Sequence, residues 1–130
     1  MRINKWPKKT GERFLRCTGA AINCALALGQ GFSVSGVQIL AFLGGPCTFG
    51  PGKMAEISMA TLMRSHVDLE KDSDKILLWT KAKDFYKSLT ERAVRSNISL
   101  GVLAFSLDQN GFAEIKEMVQ KTGGMAAMHR

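Results

Sequence analysis

A glycine-rich stretch at residues 44–53, GGPCTFGPGK, has the residue types of a phosphate-binding loop. Such a loop needs the spacing G-x-x-x-x-G-K-[ST], because its glycines let consecutive backbone N–H groups face the phosphates. Counted back from Gly52, the first glycine falls on Cys47, and Met54 replaces the serine or threonine that would hold magnesium. The spacing therefore argues against a nucleotide pocket.

The prolines of this stretch indicate a different use. Pro46 and Pro51 are two of only three prolines in the chain, and proline stiffens the backbone. The loop follows an apolar run, VQILAFL, and α/β folds place their sites at the carboxyl ends of such strands. We predict a shaped contact surface for a partner or a purely structural turn, and the residues leave both open. The candidate contact residues are Gly44, Gly45, Pro46, Phe49, Gly50, Pro51 and Gly52.

The remaining candidates for chemistry are weak. Arg64 and His66, in RSH, are further candidate contact residues, but no Ser/Cys–His–acid spacing accompanies them and a surface hydrogen-bonding pair is the usual outcome. The acids of DLEKDSD lack the glycine and the glutamate of a calcium loop and are typical of helix-capping residues. Three cysteines without a CxxC pair are poor material for zinc. We predict no catalytic residue, no metal site and no enzyme.

The composition predicts one globular domain in the cytosol or on the cytosolic face of a membrane. The chain has 130 residues, 45% of them hydrophobic. Its start has no apolar signal region, and no apolar run reaches the roughly 18 residues of a membrane span. The net charge is +7, and six basic residues stand against Glu12 in residues 1–16. This basic lead-in meets acidic lipid or nucleic acid, or is simply solvated. Little aromatic interleaving accompanies it, which argues against nucleic acid.

The elements that position these residues alternate along the chain. Helical patterns cover residues 18–32, 75–96 and 112–121, and strand patterns cover 37–43, 98–107 and 125–129. We expect the first helix to be buried, since it is apolar nearly all round, and the strand at 37–43 to be covered on both faces. Residues 44–72 form a long loop. The order α-β-loop-α-β-α-β predicts a small parallel sheet that is part of a larger α/β domain.

Several stretches together resemble one family. They are WPKKTGERFLRCTGAAI, GGPCTFGPGK, RSHVDLEKDSD, AKDFYKSLTERA, LDQNGFAEIK and TGG. In this order and spacing they are similar to the trunk domain of the GTPase-activating subunit of the COPII inner coat. The resemblance implies a doubly wound, von Willebrand A-like α/β sheet, of which this chain supplies the second half. Residues 1–16 are then a basic lead-in, and residues 17–130 are a partial trunk.

The resemblance also implies a function in protein transport. The family's subunit partners a sister inner-coat subunit and binds the small coat GTPase on the endoplasmic reticulum membrane, where it promotes vesicle formation. Its four-cysteine zinc module would lie before Met1 and its arginine finger beyond Arg130, so we expect no cofactor and no GTPase activation from this chain. The segment KMAEISMATLM departs from the family's pattern. The alternative is a free-standing α/β interaction module without a coat function.

One physical consequence concerns the strand at 37–43. In such a trunk another strand pairs with it, and without that strand an apolar edge with unpaired backbone groups is exposed. Exposed edges of this kind promote aggregation. We therefore expect the chain alone to be marginally stable or to need a partner strand.

Overall fold

The computed structural model describes residues 9–32, 36–65, 68, 74–106 and 109–129. Along these ranges the chain forms α1 (Thr18–Gly31), β1 (Val37–Leu43), α2 (Asp74–Arg95), β2 (Ile98–Phe105), α3 (Phe112–Lys121) and β3 (Ala126–His129). The predicted order of helices and strands is confirmed, with bounds that differ by two residues at most. In the part of the chain described, no helix is long and apolar enough to cross a membrane.

The three strands form one parallel sheet in the order β1-β2-β3. Val37 pairs with Ile98 at the start of β1, and Val102 pairs with Ala126 at the start of β3. The predicted small parallel sheet with flanking helices is therefore confirmed. Because the strands are parallel, their carboxyl ends, and the loops that follow them, lie at the same end of the sheet.

The core lies between one face of the sheet and the helices. Leu100 and Val102 of β2 are fully buried, as are Tyr86 and Leu89 on the inner stripe of α2. Ile115 of α3 joins the same cluster, and α1 contributes two residues described below. Burial of each such side chain contributes roughly 1.5 to 3 kcal/mol. The described helices thus share one face of the sheet.

The opposite face of β1 is open, so the expectation that this strand is covered on both faces is wrong for the described residues. Exposure alternates along the strand, and Leu40 and Phe42 are 48% and 68% exposed. A Cβ on Gly101 of β2 would lie 2.7 Å from the Leu40 side chain, which places both residues on this face. Phe105 at the end of β2 is 54% exposed. An apolar run predicts a buried strand, but it cannot tell which face has a helix over it.

Helix α1 packs against the sheet as expected, but it is buried along one stripe only, although it is apolar nearly all round. Ile22 and Leu26 are in the core, whereas Leu28 is 69% exposed. Gly29 allows close packing, since a Cβ there would lie 3.0 Å from Ile98. The other apolar residues of α1 face outward because α2 and the sheet meet it from one side.

The segment before α1 is bound to the long loop. Arg13 is 7% exposed, and Glu12 forms an isolated antiparallel bridge with Ser58. The amide of Met59 donates to the carbonyl of Gly11 at 2.9 Å. The division between residues 1–16 and 17–130 stays a prediction, but residues 11–16 hydrogen-bond to the body of the domain.

Candidate functional site

The candidate contact loop, residues 44–53, follows β1 and is fastened to the segment before α1. The Arg16 amide donates to Thr48 Oγ1 at 2.9 Å, and that hydroxyl donates to the Phe14 carbonyl at 2.8 Å. The amides of Thr48 and Phe49 both donate to the Arg16 carbonyl, at 3.0 and 3.1 Å. We call these four hydrogen bonds the Arg16–Thr48 clasp. The clasp holds the middle of the loop against the segment before α1.

The Arg16 side chain supports the first turn of the loop. Its Nη2 donates to the Gly44 carbonyl at 2.8 Å. Its guanidinium lies against Gly45, where φ is +149° and a Cβ would come within 2.9 Å of Nη1. The Arg16 guanidinium carbon is also 5.3 Å from the centroid of the Phe14 ring, within the range of a cation–π contact. A side chain at Gly45 would therefore displace Arg16.

Two amides of the loop, and the two that directly follow it, are bound by protein carbonyls. The Cys47 carbonyl accepts hydrogen bonds from the amides of Met54 at 2.8 Å and Ala55 at 3.2 Å. The amides of Thr48 and Phe49 are held by the clasp. A phosphate-binding loop keeps such groups free to face its ligand. These four amides, two in the loop and two directly after it, are thus occupied, and the spacing of the loop already argues against a nucleotide.

The end of the loop is anchored on two helices. Gly52 has φ +74° and is buried, and its carbonyl accepts a long hydrogen bond of 3.5 Å from Tyr86 Oη on α2. A Cβ on Gly52 would lie 2.7 Å from that oxygen, so only glycine fits here. Burial is the main cause that raises the pKa of Tyr86, which keeps its hydroxyl protonated. The carbonyl of Pro51 packs directly against Gly19 of α1.

The predicted contact residues divide into a support and a surface. The buried ones are Gly45, Pro46 and Gly52, and the exposed ones are Gly44, Phe49, Gly50 and Pro51. Phe49 is 61% exposed although its backbone is held by the clasp. The loop therefore presents an aromatic ring from a backbone that is already ordered. Aromatic side chains on ordered backbone lose little conformational entropy when a partner covers them.

Arg64 has its ion pair and its ring contact elsewhere in the domain. Its Nε donates to Glu114 Oε1 of α3 at 3.0 Å, and its guanidinium carbon is 3.8 Å from the centroid of the Trp79 ring on α2. The side chains of Arg64 and Glu114 are only 10% and 1% exposed. Arg64 thus ties the long loop to two helices. A contact role for Arg64 stays a prediction, and His66 lies outside the described residues.

Glu114 is an unusual group in this arrangement. Burial raises the pKa of its carboxyl, and the hydrogen bond and charge of Arg64 act in the opposite direction. Its second oxygen, Oε2, is buried and has no hydrogen-bond partner. Removing one member of a buried ion pair commonly costs about 3 to 5 kcal/mol. The pair therefore stabilises the contact between the long loop and α3 only while both side chains are present.

The described part of the chain contains no cluster of histidine, cysteine, aspartate and glutamate that could hold a metal ion. Cys17, Cys24 and Cys47 are free thiols. Cys47 is buried, and its thiol donates to the Arg16 and Phe49 carbonyls at 3.4 Å. This cysteine therefore belongs to the support of the loop.

Sequence reasoning missed the arginines that build the support. Arg13 Nη1 donates to the carbonyls of Glu56, Ser58 and Thr61 at 3.0, 2.9 and 3.1 Å. Its partners lie 43 to 48 residues away in the chain. No local spacing marks such a residue, and a run of basic residues normally indicates a solvated surface.

The fold first defines a class: an α/β domain with an open parallel sheet and a structured loop after its first strand. The family model described as the Sec23/Sec24 trunk domain matches residues 2–130. The chain belongs to this trunk-domain family, and the predicted resemblance is confirmed.

Two relatives from Arabidopsis thaliana illustrate the similarity. "Protein transport protein SEC23 C" is 40% identical over 124 residues, which cover 95% of this chain and 16% of the relative. "Protein transport protein SEC23 F" is 38% identical over 129 residues, which cover 98% of this chain and 16% of the relative. The chain thus spans about one sixth of the length of these curated relatives.

Proposed function

We propose that this chain is a protein-interaction module of the COPII vesicle coat, acting in transport from the endoplasmic reticulum to the Golgi. The similarity to the relatives named for protein transport supports the process. The partners we propose are the sister inner-coat subunit and the small coat GTPase, on the cytosolic face of the endoplasmic reticulum membrane. The chain itself contributes binding surface and carries out no catalysis.

The exposed Phe49 on its fixed loop is the observation that carries this proposal. The clasp, the Arg16 side chain and Gly52 hold the loop in one shape, and that shape exposes an aromatic ring. Interfaces concentrate their binding energy in a few residues of this kind, each worth about 2 kcal/mol or more when truncated. Phe49 is therefore the proposed anchor of the contact surface.

A binding assay with the purified sister subunit tests the proposal. We expect the immobilised chain to capture the subunit, and Phe49→Ala to weaken binding about 30-fold, the equivalent of 2 kcal/mol. Leu28→Ala is the matched control, because Leu28 is 69% exposed and apolar but lies ten residues along α1, about 15 Å from its start. Equal binding by both variants, or no capture by the wild-type chain, would reject the contact surface.

We further propose that these 130 residues do not stimulate GTP hydrolysis by the small coat GTPase. An arginine finger must reach into the active site of another protein. Four of the five described arginines donate side-chain hydrogen bonds to distant parts of the domain: Arg13, Arg16, Arg64 and Arg92. Among the described residues, Arg95 donates only from its Nε, to the Glu91 carbonyl of its own helix. A hydrolysis assay with the GTP-loaded GTPase measures this directly. Stimulation above the intrinsic rate would overturn the statement.

A further inference from the structure

A groove lies between α2 and the last turn of α3. It has a volume of about 370 Å³ and is lined by Lys87, Thr90, Glu91, Val94, Arg95 and Lys121. The α2 residues recur at the three- and four-residue spacing that places side chains on one stripe of a helix. Lys121 faces this stripe from the last turn of α3. The groove is thus built from two packed helices rather than from a loop.

The groove continues toward the amino-terminal end of the sheet. A second cavity, of about 460 Å³, shares Val94 and Lys121 with the first and extends along Asn97 and Ser99 to Val37. We call the two cavities together the basic groove. The contact loop follows the carboxyl end of β1, so the two surfaces lie at opposite ends of the sheet.

The charges that line the basic groove are mainly positive. Lys87, Arg95 and Lys121 line it together with Glu91, and Glu117 lies beside Lys121. Lys121 has a salt bridge with Glu117 at 2.6 Å, whereas Lys87 and Arg95 form none within the described part of the chain. Lys87 and Arg95 thus have no carboxylate of the described residues at ion-pair distance, and an acidic ligand supplies one.

The floor of the basic groove is apolar. Val94 of α2 is 51% exposed at the point where the two cavities meet. The aliphatic parts of the lysines beside it add to this apolar surface, since lysine keeps only its terminal ammonium in water. The groove therefore combines an apolar floor with cations along its rim.

We propose that the basic groove binds an extended peptide segment that has an apolar side chain between acidic ones. The apolar side chain covers Val94, and the carboxylates meet Lys87, Arg95 and Lys121. An acidic peptide fits the surface because it satisfies charge and apolar floor together. This site is independent of Phe49 and does not rest on the function proposed above.

Fluorescence anisotropy of a labelled synthetic peptide, Gly-Glu-Glu-Leu-Glu-Glu-Gly, tests the site on the full chain. We expect saturable binding that weakens as salt is raised. Lys87→Glu combined with Arg95→Glu should weaken binding about tenfold or more, since each reversal replaces an attraction with a repulsion. The matched control is Lys81→Glu combined with Lys116→Glu. It changes the net charge equally at two exposed positions outside the groove, and we expect a change of less than about twofold.

Two further arms separate the groove from general attraction to anions. A peptide with glutamine in place of leucine should bind about three- to tenfold more weakly, because it no longer covers Val94. Vesicles of phosphatidylserine and phosphatidylcholine should not displace the leucine peptide. Equal losses in the two double variants, equal affinity for the two peptides, displacement by vesicles or absence of saturable binding would each overturn the proposal. Circular dichroism of each variant confirms the fold, and Lys87→Gln with Arg95→Gln replaces the reversal if it does not fold.

Discussion

Replacing Thr48 with valine tests whether the Arg16–Thr48 clasp holds the domain together. Valine has nearly the shape of threonine, and Thr48 is completely buried, so the substitution removes a hydroxyl without opening a cavity. The hydroxyl has two partners, since it donates to the Phe14 carbonyl and accepts from the Arg16 amide. Thr48→Val deletes both hydrogen bonds at once and leaves the packing in place.

The expected loss follows from the surroundings of the two partners. A buried polar group left without a hydrogen bond costs about 1 to 3 kcal/mol. Phe14 is 42% exposed and Arg16 is partly exposed, so water reaches this segment and about 1 to 1.5 kcal/mol, the lower part of that range, applies to each partner. We expect Thr48→Val to lower the free energy of unfolding by about 2 to 3 kcal/mol. Thr48→Ser keeps the hydroxyl and loses one methyl group, which costs about 1 kcal/mol.

Urea denaturation measured at about 15 °C, near the usual stability maximum, gives the difference. With a slope near 2 kcal/mol per molar urea, Thr48→Val should lower the unfolding midpoint by roughly 1 to 1.5 M and Thr48→Ser by about 0.5 M. Hydrogen exchange of the Phe49 amide is the local readout, because this amide donates to Arg16 within the clasp. Exchange at Phe49 should accelerate in the valine variant more than in the serine variant.

The reasoning fails if the valine variant is as stable as the serine variant. That result would mean that water replaces both hydrogen bonds at no cost and that the loop takes its shape from the prolines alone. If the midpoint is unchanged but exchange of the Phe49 amide accelerates, the clasp orders the loop locally and does not contribute to the free energy of unfolding of the domain.

Three further predictions concern other parts of the domain. The folded pKa of Glu114 lies above its ordinary value of 4.5, so the stability that this carboxyl contributes is complete below about pH 4.5 and is lost as pH rises through the raised pKa. Urea midpoints measured from pH 4 to 8 should therefore fall with rising pH, and Glu114→Gln should flatten this fall. Equal slopes in the two proteins would contradict the prediction. Gly52→Ala should lower the free energy of unfolding by roughly 2 kcal/mol more than Gly11→Ala. Both glycines have a positive φ, but of the two only Gly52 has neighbours within 4 Å of an added Cβ. Matching urea midpoints would show that no clash occurs. Phe42→Lys should reduce the concentration-dependent aggregation that light scattering detects during heating. It should change the free energy of unfolding by less than about 0.5 kcal/mol, because Phe42 is 68% exposed. A cooperative, concentration-independent thermal transition of the wild-type chain would refute the idea that this sheet face promotes aggregation.

The secondary structure was predictable because each element has a local signal. The spacing of apolar residues in α2 and the continuous apolar runs of β1 and β2 indicate period and type without any tertiary information. The same signals could not show which side of an element is covered. Leu28 and Phe42 are apolar and yet exposed, since no described element lies over them.

The candidate site was predictable only in its surface. The two prolines and the position after a strand indicated a rigid loop, and Phe49 was included among its contact residues. The support was not predictable, because the side chains of Arg13 and Arg16 donate to backbone carbonyls, which every residue supplies. Arg64 pairs with Glu114 across 50 residues, and a single sequence contains no signal for that distance.

The position of Arg13 also has a consequence for the order of folding. During synthesis Arg13 emerges before its acceptors, which follow 43 to 48 residues later. Until then its guanidinium stays hydrated, and residues 56–61 lack the hydrogen bonds that hold them to the segment before α1. Closure of such long segments is slow compared with the formation of a single helix, so α1 forms before its flanking segment docks. The anchor of Gly52, the Tyr86 hydroxyl, emerges later still, so a nascent chain that ends before Tyr86 lacks part of the support of the surface that presents Phe49.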